Sequence, residues 1–170
     1  IPYAEQLDKF SAICEKALPG LEALLEKCEK IENRLFEATL KLQVQIHTYS
    51  CRGVILYKKG YEAFCKGDYA RAFVFFGDSA VSFEQADKFM RRSEYGVWQD
   101  FYYNDCFADV KHTAYMVRKV MGLVREFGDN ARHDKWYRDY CYAKEDRDVF
   151  LLLVLDNHMT DEELYQVMRK

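Results

Sequence analysis

Between Glu94 and Asp109 the chain reads EYGVWQDFYYNDCFAD, setting Tyr95, Trp98, Phe101, Tyr102, Tyr103 and Phe107 beside Glu94, Asp100, Asn104, Asp105 and Asp109. Two kinds of chemistry suit those residue types. Aromatic rings next to amide and carboxylate groups can stack on a sugar ring while the polar groups bond its hydroxyls, and the same rings suit contact with another protein surface. Tyr95, Trp98, Tyr102, Tyr103 and Asn104, with Trp136 and Tyr137 downstream, are therefore the candidates for sugar or interdomain contact. Plain core packing is the competing use of the same residues.

The second chemistry needs Asp105, Asp109 and His112, which at i, i+4 and i+7 share one face of a helix. Carboxylates and an imidazole so placed could hold a divalent cation or move a proton. Asp105 also suits a helix N-cap, however, and a histidine among aromatic residues commonly serves packing. The three are weak metal candidates, and neither a metal nor another cofactor is expected. Cys106 lacks a defined histidine partner that would make it a nucleophile. A glutamate-x-x-histidine pair repeated on two helices and a phosphate-binding glycine loop are both absent from the sequence.

The elements that must position these residues are helical. Only 2 prolines and 8 glycines punctuate 170 residues, a length that fits one domain and buries roughly 70% of its unfolded surface. Leu7, Phe10, Ile13, Cys14 and Ala17 form one apolar stripe. Pro19 and Gly20 mark a kink or turn, after which Leu21, Leu24, Leu25, Cys28, Ile31, Leu35 and Phe36 restore it. A long helix follows over 36–66, with Leu40, Val44, His47, Cys51, Ile55 and Lys58 on one ridge and Leu42, Ile46, Tyr49, Leu56 and Ala63 on another. Gly67 suits a left-handed helix end and Asp68 an N-cap, so an antiparallel helix should run to about Arg92.

Beyond it, Asn104 or Asp105 would cap a helix ending at Gly128, and residues 129–147 read as irregular or as one short helix. The apolar run Val149 to Leu155 is open to strand or helix. Thr160 and Glu163 make a capping box for a short terminal helix. The fold class expected is an all-α antiparallel bundle of four to five main helices, with an irregular aromatic segment and one short strand near the C-terminus. Gly60, Tyr61, Phe64, Gly67, Asp68, Tyr69, Ala72, Phe76 and Ala80 lie near the small and aromatic positions of a tetratricopeptide helix pair. No second copy follows at that repeat's period of about 34 residues, which leaves an ordinary helical hairpin.

Bulk properties narrow the partners. The net charge of -3 is spread over 25 basic and 28 acidic residues, a field too weak to draw nucleic acid or an anionic membrane surface. The seven-residue run Val149 to Leu155 falls far short of the roughly 20 residues of a membrane span. The six cysteines occur singly, without zinc-ligand spacing; Cys14 with Cys28, and Cys51 with Cys65, recur on one helical face. That pattern predicts core-facing reduced thiols and a cytoplasmic chain. A first residue of Ile1 with no leader pattern ahead of the helices reads as a piece of a longer protein.

The long helices from Leu35 to Phe64, the pair Glu94 and Tyr95, the run G-x-W-x-x-F-Y-x-N-D from Gly96 to Asp105, and Trp136 together resemble a known arrangement. It is the helical region that follows the catalytic barrel in some large bacterial glycoside-hydrolase-like proteins. The likeness spans residues 20–140, with the Gly96 to Asp105 run its most specific part. No catalytic residue of those enzymes maps onto this chain, so the resemblance implies an accessory or scaffold role and transfers no active site. The partners it implies are another domain of the same parent protein, a second copy of the chain, or carbohydrate. A free-standing helical interaction module, and an enzyme with an acidic and histidine site near Asp105, Asp109 and His112, are the alternatives.

Overall fold

A computed structural model describes residues 2–101, 110–130 and 160–170. These form α1 (Pro2–Glu29), the single turn α2 (Arg34–Phe36), a π-helical turn (Glu37–Lys41), α3 (Leu42–Cys65), α4 (Tyr69–Ser93), a 3₁₀ turn (Gly96–Trp98), α5 (Val110–Asn130) and α6 (Asp161–Met168). The turn α2, the π turn and α3 are continuous, so five helical rods result among the described residues. α1 packs on α3, α3 on α4 and α4 on α5, an antiparallel all-α bundle, and α6 lies against α4 and α5. No strand occurs among the described residues. Val149 to Leu155, residues 131–147 and the cap expected at Asn104 or Asp105 lie outside them.

α1 is one helix with Pro19 inside it. A proline there removes one backbone hydrogen bond. What carries the helix through is a seam at Ala4, Leu7, Ser11, Cys14, Leu18, Leu21, Leu25 and Cys28, alternating three- and four-residue steps, every member buried or half-buried. Of the predicted stripe, Leu7, Cys14, Leu21, Leu25 and Cys28 lie on this seam, whereas Phe10, Ile13, Ala17 and Leu24 are exposed, Ile13 by 65%. Ile31 and Leu35 are likewise exposed rather than extending the stripe. The helix stops at Glu29, and the Asn33 carboxamide starts the next one by accepting from the amides of Leu35 and Phe36 at 3.0 and 3.1 Å.

The turn between α3 and α4 follows local chemistry. Gly67 takes φ +76, and the Asp68 carboxylate accepts from the Arg71 amide at 3.1 Å. The core assembles on this hairpin, with Ala72, Phe73, Phe76, Ala80 and Phe83 of α4 buried against α3 and against Ala114, Val117 and Met121 of α5. Two members of the predicted α3 ridges, Leu40 and His47, are exposed instead, because they fall on the side of the rod that α1 and α4 leave uncovered. α5 continues past Gly128 to Asn130, so that glycine is not its terminator. The terminal capping box is present: the Glu163 amide donates to the Thr160 hydroxyl at 3.2 Å and the Thr160 amide to the Glu163 carboxylate at 2.8 Å.

Cys14 and Cys28 are buried and Cys51 half-buried, but Cys65 is exposed at the last turn of α3; all four are free thiols. Burial first, then the adjacent Cys51 thiol, then Glu15, push the Cys14 thiol up to about 12 from 9.0. The folded chain therefore favours the neutral thiol, and the stability this contributes is full below pH 9 and lost as pH rises from 9 towards 12. Urea midpoints measured between pH 8 and 11 should fall less steeply in Cys14→Ala than in the parent. Equal slopes would show that this thiol does not contribute.

No helix among the described residues is long and apolar enough to cross a membrane.

Candidate functional site

The end of α4 is fastened in place before the aromatic segment begins. The Ser93 hydroxyl donates to the Met90 carbonyl at 2.6 Å, and the Arg91 guanidinium bonds Asp87 at 2.9 Å and the buried Glu94 carboxylate at 3.0 Å. The chain then leaves the helix with Tyr95 extended, and Gly96 at φ +59 opens the 3₁₀ turn. The Trp98 amide donates to the Tyr95 carbonyl at 3.1 Å and the Phe101 amide to the Trp98 carbonyl at 3.1 Å, which closes two successive turns. Asp100 takes φ +59, a left-handed conformation uncommon outside glycine and of a kind that gathers at ligand-binding positions.

These turns set Trp98 and Phe101 edge to face, ring centroids 5.5 Å apart and planes at 80°. Trp98 remains 56% exposed and Tyr95 54%. Their opposite wall is the π turn Glu37–Lys41, a rare geometry found disproportionately at functional positions. It places Ala38, Thr39 and Leu40, with Gln43 of α3, across from Ser93, Glu94, Tyr95, Trp98 and Phe101, enclosing a pocket of about 380 Å³.

The walls are electrically quiet. Glu94 is the one carboxylate lining the pocket among the described residues, and it is bonded to Arg91, which Asp87 shares. The Tyr95 hydroxyl, the Trp98 indole N–H and the Gln43 carboxamide make no hydrogen bond to the described residues and can face a ligand. The Thr39 hydroxyl donates to the Leu35 carbonyl at 2.7 Å, and the Ser93 hydroxyl donates within its own helix, so both oxygens keep lone pairs to accept with. The arrangement can hold an uncharged, hydroxyl-rich molecule with one flat face.

Of the residues singled out from the sequence, Tyr95 and Trp98 line this pocket. Tyr102, Tyr103, Asn104, Asp105, Asp109, Trp136 and Tyr137 lie outside the described residues. His112 belongs elsewhere: it is exposed on the first turn of α5 and lines a separate apolar trough of about 350 Å³ with Tyr3 and Phe10 of α1, Tyr57 of α3 and Phe83 of α4. In that trough the Tyr3 and Tyr57 hydroxyls share a hydrogen bond at 3.0 Å, and burial above all raises the Tyr57 hydroxyl above its ordinary range. Among the described residues no three of His, Cys, Asp and Glu come together as a cation site. The sequence reading missed Thr39, Leu40, Gln43 and Ser93; the signal for them is a leucine at 40 that the core does not take up.

This chain matches no protein-family model, and no curated protein or solved structure is significantly similar to it.

Proposed function

We propose that this chain is a non-catalytic accessory helical domain of a carbohydrate-active, glycoside-hydrolase-like protein, with the Trp98 pocket as its contact face. The observation that carries the reading is the composition of that pocket: stacking surface and neutral hydrogen-bonding groups, with its carboxylate tied to Arg91. Glycoside hydrolysis ordinarily requires two carboxyl groups flanking the scissile bond, one held protonated. Among the described residues the pocket is lined by one carboxylate, Glu94, which is paired with Arg91. The segment that builds the pocket is also the one that bears the family likeness, and the hairpin it follows spends its apolar faces on the neighbouring helices. The purified chain should hydrolyse chromogenic aryl glycosides no faster than buffer. Turnover that disappears in Glu94→Gln would overturn the reading.

A second reading, a helical module that pairs with another copy of itself, is favoured by the apolar trough and by exposed Phe10 and Met116 on its rims. Sedimentation equilibrium at rising concentration separates the two. A strict monomer excludes self-association, and a dimer dissociated by Met116→Glu supports it.

A further inference from the structure

The walls of the Trp98 pocket select among ligands, and we infer that it binds a single neutral pyranose ring of an oligosaccharide, stacked on the indole of Trp98. This deepens the accessory-domain reading and rests on it.

Four features converge on that ligand class. The first is an uncovered aromatic plane. Phe101 packs against Trp98 at 80°, while the indole itself stays 56% exposed. An apolar ring packed by a neighbour and left open to water is what the apolar face of a sugar stacks against. The second is hydrogen-bonding capacity of both kinds. Tyr95, Trp98 and Gln43 offer donors, while Thr39, Ser93 and the Gln43 oxygen offer acceptors, a mixture that suits hydroxyls, which donate and accept at once.

The third is charge. The Arg91 guanidinium is already engaged by Asp87 and Glu94, so the described residues lining the pocket offer no free cation for a uronic acid, sulfated sugar or phosphate to recruit. A neutral ring is left. The fourth is size and construction. About 380 Å³ falls at the lower end of the roughly 300–1,000 Å³ of small-molecule sites, room for a ring or two rather than a long chain. The walls are a π turn and a loop containing a left-handed aspartate, two unfavourable local geometries facing each other across one pocket. Ordinary packing accounts poorly for that coincidence, because neither element buries its apolar side chains: Leu40 is 60% exposed and Val97 93%.

The chain has two tryptophans, so Trp136→Phe leaves Trp98 as the sole indole fluorophore. Titrating that variant with cellotriose, xylotriose, maltotriose and chitotriose to about 10 mM should give a saturable emission change with at least one of them, at a Kd between about 10 μM and 1 mM. Calorimetry on the parent chain should give the same constant, weakened at least tenfold in Trp98→Ala, a few-fold in Gln43→Ala, and little in Trp98→Phe, which keeps a ring face. Backbone amide shifts should cluster at 38–43 and 93–101. Because Trp98 is exposed, Trp98→Ala should melt within about 2 °C of the parent, so lost binding would not be lost folding.

The inference is overturned if none of the four saccharides gives a saturable response, or if the response survives Trp98→Ala. Neither result touches the accessory-domain reading, which fails only on glycoside turnover. Conversely, turnover together with Trp98-dependent binding would sink that reading and leave the sugar site standing.

Discussion

Phe76→Ala is expected to lower the free energy of unfolding by about 3–5 kcal/mol, the range for removing a fully buried phenylalanine. Phe76 is 2% exposed, meets Tyr57 edge-on with centroids 5.0 Å apart, and lies over Gly60 of α3. One heptad along, Phe83 lies over Gly53 in the same way. Antiparallel helices meet like this when glycines on one recur at the spacing of bulky rings on the other, which lets the rods approach until backbone receives ring. The Ser79 hydroxyl donating to the Gly53 carbonyl at 2.7 Å reports how close that approach is.

A methyl group at Gly60 would stand 3.1 Å from the Phe76 ring, which must shift by a few tenths of an ångström, so Gly60→Ala should cost about 1 kcal/mol after the gain in helix propensity. The double variant should lose less than the two single losses combined, since the new methyl enters the space the ring vacated. Urea midpoints at unchanged slope provide the measurement. Strict additivity, or a loss below about 1 kcal/mol for Phe76→Ala, would contradict the ring-on-glycine account.

The second large effect concerns α6, only eight residues long and too short to be stable unaided. Tyr165 anchors it. The ring is 0% exposed and lies on Gly77, its hydroxyl donates to the Asp78 carboxylate at 2.6 Å, and the guanidinium groups of Arg118 and Arg169 stand 5.9 and 5.7 Å from its centroid. Arg118 also bonds Glu84 of α4 and Glu162 of α6, both at 2.8 Å, and Arg125 bonds Asp161 at 2.7 Å, so α6 is clamped to both neighbours.

Tyr165→Ala should release α6 alone. Amide exchange over 161–168 should accelerate about 100-fold, equivalent to about 3 kcal/mol, while the amides of α3 and α4 keep their protection. Gly77→Ala should reproduce that outcome, because the added methyl would occupy the position of the Tyr165 ring. Tyr165→Phe, which removes only the hydroxyl, should cost about 1 kcal/mol. Retained protection of α6 in Tyr165→Ala would show that the ion pairs, and not the ring, hold the helix.

The punctuation of the bundle was legible in the sequence. Gly67 with Asp68, and Thr160 with Glu163, each act through hydrogen bonds and backbone angles among residues three or four apart, so the residue types alone determine the outcome. The all-α class was legible for the same reason, since helical periodicity is a property of spacing. The phase of α1 was not. Its sequence carries two apolar rows, and only contact with α3 decides that Leu7, Ser11 and Cys14 turn inward while Phe10 and Ile13 stay in water. The helix end at Gly128 was misread because a glycine ends a helix where it turns left-handed, and Gly128 does not take a positive φ.

The chemistry divides along the same line. That Tyr95 and Trp98 are available for contact was written in the aromatic segment itself. Their partners Thr39 and Gln43 lie more than fifty residues earlier, in a stretch that reads as uniform amphipathic helix. His112, which its spacing groups with Asp105 and Asp109, lines a different cavity from Trp98. Local hydrogen bonding is decided by residues adjacent in the chain, and the sequence suffices for it. A pocket is decided by which of several apolar faces the packed helices consume, and that choice exists only once the whole bundle has closed.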